Sequence, residues 1–120
     1  MVKGIVYKNR PVVKLTVANG DIYKKVITLV DTGFTGELKL SAKEILDLGI
    51  TPTHMEPIEL ADGKTTKMFA SIARVYMEGI GNDVGTLISA GVPTIGVRLL
   101  KKFGYNLNID FKKDTLFLQK

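Results

Sequence analysis

Residues 29–41, Leu29-Val30-Asp31-Thr32-Gly33-Phe34-Thr35-Gly36-Glu37-Leu38-Lys39-Leu40-Ser41, decide how the rest of the chain is read. The run Ile27-Thr28-Leu29-Val30 is β-branched or apolar without a break, which suits a strand buried inside a sheet. It leads straight into Asp31, so a carboxylate arrives at the end of an interior strand. Burying an unpaired carboxylate is costly, and proteins keep such a group ionised with donors or neutralise it. Gly33 lacks a Cβ, so backbone amides and a ligand can come close to that carboxylate. The Thr32 hydroxyl can lock the turn from behind. Alone, Asp-Thr-Gly reads as an Asx turn with a glycine at positive φ. Its surroundings raise its weight.

Outward from this stretch, the chain is a series of short strands broken by turn signals. Residues 11–17 form a strand with Val13, Leu15 and Val17 on one face. Ala18-Asn19-Gly20-Asp21 is a hairpin turn, with Asn-Gly supplying the positive-φ positions, and residues 22–30 return. After a turn over 33–36 and a strand at 37–40, Ser41 and Glu44 have capping-box spacing. The helix they open runs to Leu48, stops at Gly49 and buries Ile45, Leu46 and Leu48. Residues 56–78 read as a long hairpin with its turn at Asp62-Gly63-Lys64. A strand is expected at 85–87 and a second helix at 97–103, with Lys101 and Lys102 near its C-terminal dipole and Gly104 ending it. Strands at 106–111 and 115–119, joined by a turn at 112–114, close the chain. Asp83 reads as a turn residue and His54 as a surface or loop residue.

The 120 residues are one domain spanning 1–120, long enough to bury a core without staples. With 45% hydrophobic and 24% charged residues, the composition is that of a globular protein and excludes a disordered one. The absence of cysteine excludes a disulfide framework, thiolate metal sites and a cysteine nucleophile. The single histidine leaves no multi-histidine zinc site, so neither metal nor cofactor is expected. No apolar run approaches the roughly 18 residues of a membrane span, and no secretory signal is visible. The expectation is a cytoplasmic protein with no membrane partner. The net charge of +5 is spread along the chain and reads as a lysine-rich solvated surface. Lys101, Lys102, Phe103, Tyr105, Phe111, Lys112 and Lys113 interleave basic and aromatic residues as a nucleic-acid stacking surface would. Phe103 and Phe111 sit at apolar-periodic positions and are assigned to the core instead, so nucleic acid is not the expected partner.

Three features come in a telling order. LVDTGFTGELKLS resembles the active-site segment of retropepsin-like aspartic proteases, in particular the small single-domain forms found in prokaryotes. Downstream, Pro93-Thr94-Ile95-Gly96 followed by Leu99-Leu100 is similar to that family's second signature, and the 56–78 hairpin lies where the family has its flap. The resemblance covers residues 10–118. It implies a mainly β, single-lobe acid-protease fold, a closed β-barrel with one or two short helices. Two positions depart from the pattern: Thr94 replaces an apolar residue of the second signature, and Thr35 stands where retroviral members carry an acid.

What the resemblance implies is an aspartic endopeptidase, whose chemistry needs two carboxylates sharing one proton. No second Asp-Ser/Thr-Gly exists in the chain. The second carboxylate therefore comes from a C2 homodimer with its axis between two copies of Asp31. In that assembly Thr32 makes a cross-dimer lock, Gly33 amides orient the carboxylates, and Ile95 and Gly96 lie behind them. The tip Asp62-Gly63-Lys64 closes over a peptide or protein substrate in extended conformation. The alternative is a catalytically idle dimerisation or peptide-binding scaffold on the same fold. The intact Asp-Thr-Gly speaks against it.

Overall fold

The computed structural model describes residues 1–120. In chain order the elements are β1 (Val2–Tyr7), β2 (Arg10–Asn19), β3 (Ile22–Val30), β4 (Leu38–Leu40), α1 (Ala42–Leu48), β5 (His54–Glu59), β6 (Thr65–Met77), β7 (Ile80–Ile88), β8 (Thr94–Ile95), α2 (Val97–Phe103), β9 (Asn106–Asp110) and β10 (Thr115–Gln119). All ten strands join one sheet in the order β5-β6-β7-β4-β8-β3-β2-β1-β10-β9. A further antiparallel pairing, Thr16↔Tyr76 to Ala18↔Arg74, brings β6 onto β2. The path β2-β3-β8-β4-β7-β6 thereby closes on itself, and the mainly β architecture is a ring of strands with two short helices packed on it. No helix is long and apolar enough to cross a membrane.

Period-two alternation supplies the core. Val13, Leu15 and Val17 of β2 point inward with Val26 and Val30 of β3, and all five belong to one cluster of 21 buried residues. Thr28 faces the same interior and is fully buried, and its hydroxyl donates to the Val13 carbonyl at 2.9 Å, so no polar atom is stranded there. β1 was not anticipated from the sequence, and it carries Gly4 in mid-strand. The sheet requires that glycine: a Cβ would lie 2.3 Å from the Val12 carbonyl oxygen on the neighbouring strand.

Several local expectations shift. The β2–β3 hairpin turns on Gly20-Asp21, because Asn19 is still paired, opposite Ile22. Only Gly20 has positive φ (58°), as when glycine takes the first central position of a type II′ turn. The Asn19 amide is used elsewhere, donating to the Leu48 and Gly49 carbonyls at the end of α1. Asp83 is a strand residue, not a turn residue; it lies opposite Arg74 and accepts from its guanidinium at 3.0 Å. The turn falls at Glu78-Gly79, both at positive φ, and β7 therefore begins at Ile80, well before residue 85. Phe111 is 69% exposed in the β9–β10 turn, outside the core.

Both helices fall where capping signals place them. Glu44 reaches back to accept the Ser41 N–H at 3.2 Å, and Gly49 (φ 64°) and Gly104 (φ 76°) end α1 and α2 in the left-handed region. Leu46, however, is 80% exposed. Ile45 and Leu48 share the buried face three residues apart, and Leu46, one residue on from Ile45, is turned about 100° away from it. Leu48→Ala should destabilise the fold by about 2–5 kcal/mol in urea unfolding, whereas Leu46→Ala should change it by less than about 0.5 kcal/mol.

Tyr105, just after α2, is buried beside Phe103 and donates its hydroxyl to Glu78 Oε1 at 2.7 Å. Burial, then that bond and the Glu78 charge, push the phenol well above its usual value near 10. The folded chain keeps this proton where the unfolded chain loses it. The stability involved is thus complete below about pH 10 and declines as pH rises past it. Tyr105→Phe should flatten that alkaline decline in denaturation series taken between pH 9 and 11.

Candidate active site

β3 ends at buried Val30, and the chain turns outward at once. The Asp31 N–H donates to the Ile95 carbonyl at 3.1 Å, and the Asp31 carbonyl accepts from Phe34 N–H at 3.1 Å. Its carboxylate is held by the loop itself: Oδ1 accepts the Gly33 N–H at 2.8 Å. Asp31, Thr32 and Gly33 are all exposed in the single chain. The expectation of a carboxylate buried by its strand is therefore corrected. The apolar run buries residues up to Val30, and the turn carries Asp31 off the end of the strand into solvent.

The second signature lies directly behind this loop. β8 pairs parallel with β3 (Val30↔Ile95) and antiparallel with β4 (Leu38↔Ile95), so Ile95 is fully buried between them. Its side chain packs in the core, and it is the Ile95 carbonyl that engages the site, through the Asp31 amide. Gly96 N–H donates to the Glu37 carbonyl at 3.0 Å, and Val97 N–H donates to the Phe34 carbonyl at 3.0 Å. A Cβ on Gly96 would lie 2.3 Å from the Gly36 carbonyl oxygen and 2.4 Å from that of Phe34. Only glycine permits this approach.

A cleft of about 450 Å³ opens beside the loop. Residues 33–37 form one wall, β5 contributes Glu56, Ile58 and Glu59, and Leu87 and Arg98 complete it. His54 also lines it, an exposed strand residue whose Nε2 lies 2.9 Å from Glu56 Oε1. Asp62, Gly63 and Lys64 do not line the cleft; the base of the hairpin does. At the exposed tip, Gly63 has φ 83°, and Asp62 Oδ1 accepts the Lys64 N–H at 3.0 Å.

Sequence reading missed Glu37. Its carboxylate is largely buried; Oε1 accepts the Gly85 N–H at 3.0 Å and Oε2 faces the Lys102 ammonium. One side chain thus ties the end of the Asp31 loop to β7 and to α2. The only hint in the sequence is an acid set against the apolar strand Leu38-Lys39-Leu40, whose neighbours are far away along the chain. Arg98, on the cleft wall, makes no ion pair within the chain.

Gly96→Ala should damage the loop before it damages the core. Amide exchange at Gly33 and Phe34 should speed up more than exchange in β2, as read by NMR.

No protein-family model and no curated protein matches the sequence. Solved structures do match in shape. The EIAV protease, in complex with the inhibitor HBY-793, superposes with a TM-score of 0.64 at 17% identity, over 85% of this chain and 95% of that one. A retropepsin-like aspartic protease from Rickettsia conorii gives a TM-score of 0.61 at 19% identity, over 98% of this chain and 87% of that one. With its strand ring, its Asp-Thr-Gly loop and its supporting Thr-Ile-Gly segment, this chain has the fold of the retropepsin-like aspartic proteases.

Proposed function

We propose that the chain is an aspartic endopeptidase that works as a homodimer, with one Asp31 from each copy. The observation that carries this reading is the presentation of Asp31. The carboxylate is oriented by the Gly33 amide on a loop anchored through backbone bonds, yet it is open to solvent, where a second copy can meet it. Two such carboxylates in contact do not both ionise readily and hold one proton between them.

In the reaction, the ionised carboxylate takes a proton from a water molecule as its oxygen attacks the peptide carbonyl carbon. The protonated carboxylate of the other subunit gives its proton to the carbonyl oxygen. A tetrahedral diol results, with charge kept low throughout. Collapse of the diol transfers a proton to the amide nitrogen, breaks the C–N bond and restores the shared proton. Thr32 lies beside the carboxylate, at the place for a lock between subunits. Ile95 and Gly96 support the loop from behind. The substrate is an extended peptide lying in the cleft between the 33–37 loop and β5, with the Asp62-Gly63-Lys64 tip acting as a flap. Gly63 lets that tip turn. Main-chain hydrogen bonds supply much of the binding, and the cleft side chains select among sequences.

Wild-type protein should cleave an unfolded protein substrate somewhere between acidic and neutral pH. Asp31→Asn should lower that rate by about a hundredfold or more while leaving the sedimentation behaviour unchanged. Equal cleavage by both proteins would exclude Asp31 as the source of activity. Absence of cleavage by a dimeric wild type would favour a peptide-binding scaffold.

A further inference from the structure

We propose that Arg98 is a specificity-determining residue that takes an acidic side chain of the peptide substrate. The inference rests on the reading of the chain as a dimeric endopeptidase, and it names the class of peptide that the cleft selects.

Arg98 is the one permanent cation among the residues that line the cleft, and no carboxylate of the chain pairs with it. The acids that face the cleft are already engaged. Glu37 accepts the Gly85 N–H and pairs with Lys102, which does not line the cleft. Glu56 lies against His54, with Oε1 2.9 Å from Nε2. Glu59 also borders the cleft, but alternation along β5 turns its side chain to the face opposite Glu56 and Ile58. Those two are half-buried, whereas Glu59 is exposed. A guanidinium left without a carboxylate in a concave site is one half of a charge pair, available to a ligand that brings the other half.

The backbone under Arg98 is well held. It stands in the first turn of α2, one residue after Val97, whose N–H donates to the Phe34 carbonyl. The next two residues, Leu99 and Leu100, are buried in the core. The residue is thus fixed between the loop that presents Asp31 and the interior, while its own side chain is exposed. A planar guanidinium binds a carboxylate through two parallel N–H···O bonds, so it separates Asp and Glu from their amides. Two subunits related by a twofold axis bring two such arginines, one for each half of an extended peptide. The selected substrate therefore carries acidic residues at equal distances on both sides of the bond that is cut. Lysine and arginine are disfavoured at those positions by like-charge contact.

The test is to map, by mass spectrometry, the bonds cut in unfolded serum albumin. Around the bonds cut by wild type, Asp and Glu should be enriched about threefold or more at one matched pair of positions. Arg98→Gln should abolish that enrichment, and Arg98→Glu should replace it with enrichment of Lys and Arg. Lys101→Gln removes the same charge from an exposed site outside the cleft and should leave the enrichment unchanged. Arg98 is exposed and unpaired, so its substitutions should not disturb the fold. Cleavage without the matched enrichment, or with one that Arg98→Glu leaves in place, overturns the assignment while the endopeptidase reading stands. If no bond is cut, the catalytic reading falls, and binding of a short fluorescein-labelled peptide in Asp-rich and Lys-rich versions decides the rest. Tighter binding of the Asp-rich version, by about threefold or more, lost in Arg98→Gln and kept in Lys101→Gln, supports the assignment. Equal binding of that version by wild type and Arg98→Gln overturns it.

Discussion

The site depends on a backbone clasp. Four hydrogen bonds join the 29–37 segment to residues 93–97: Leu29 N–H to the Pro93 carbonyl, Asp31 N–H to Ile95, Gly96 N–H to Glu37, and Val97 N–H to Phe34. A loop of this length with two glycines would otherwise sample many conformations, at about 1–2 kcal/mol of entropy per residue to order it. The clasp orders it against two short strands and the start of a helix. It also satisfies backbone groups that close packing removes from water. Gly96 is the narrowest point, since the loop carbonyls occupy the space where its Cβ would stand.

Glu37 supports the clasp from the side. A largely buried carboxylate needs its charge compensated, and here a β7 amide donates to Oε1 while the Lys102 ammonium forms an ion pair with Oε2. The contrast with Asp31 is instructive. Glu37 is tucked in and paired, whereas Asp31 is exposed and oriented by a single neighbouring amide. The rigid wall of the cleft comes from the clasped loop, and the opposite wall from β5 at the base of a hairpin whose tip is free. The two walls thus differ in how they are held: one is clasped by backbone bonds to a second segment, and the other belongs to a hairpin whose tip is exposed.

What was legible depended on how local the cause was. Helix ends at Ser41, Gly49 and Gly104 were readable because capping involves residues within one turn. The inward face of β2 was readable because alternation repeats every two residues. Leu46 was misplaced because a cluster of apolar letters does not state which side of a seven-residue helix meets the sheet. The turns at Gly20-Asp21 and Glu78-Gly79 were offset or missed because pairing across the hairpin, and not the turn dipeptide alone, sets where the reversal falls. β1 went unseen because the use of Gly4 is a close approach to a strand visible only in the sheet.

By itself the sequence determined the mainly β class, the two helices, the Asp31 loop and its counterpart at residues 93–96, because short-range patterns encode each of them. Only the tertiary structure decided that these two segments interlock, that Glu37 joins β7 to α2, that Asp31 is exposed, and that β9 is left as an open edge. Those facts arise from contacts between residues tens of positions apart. No local propensity specifies such contacts; they are settled by which arrangement of strands buries the apolar faces and leaves no backbone group without a partner.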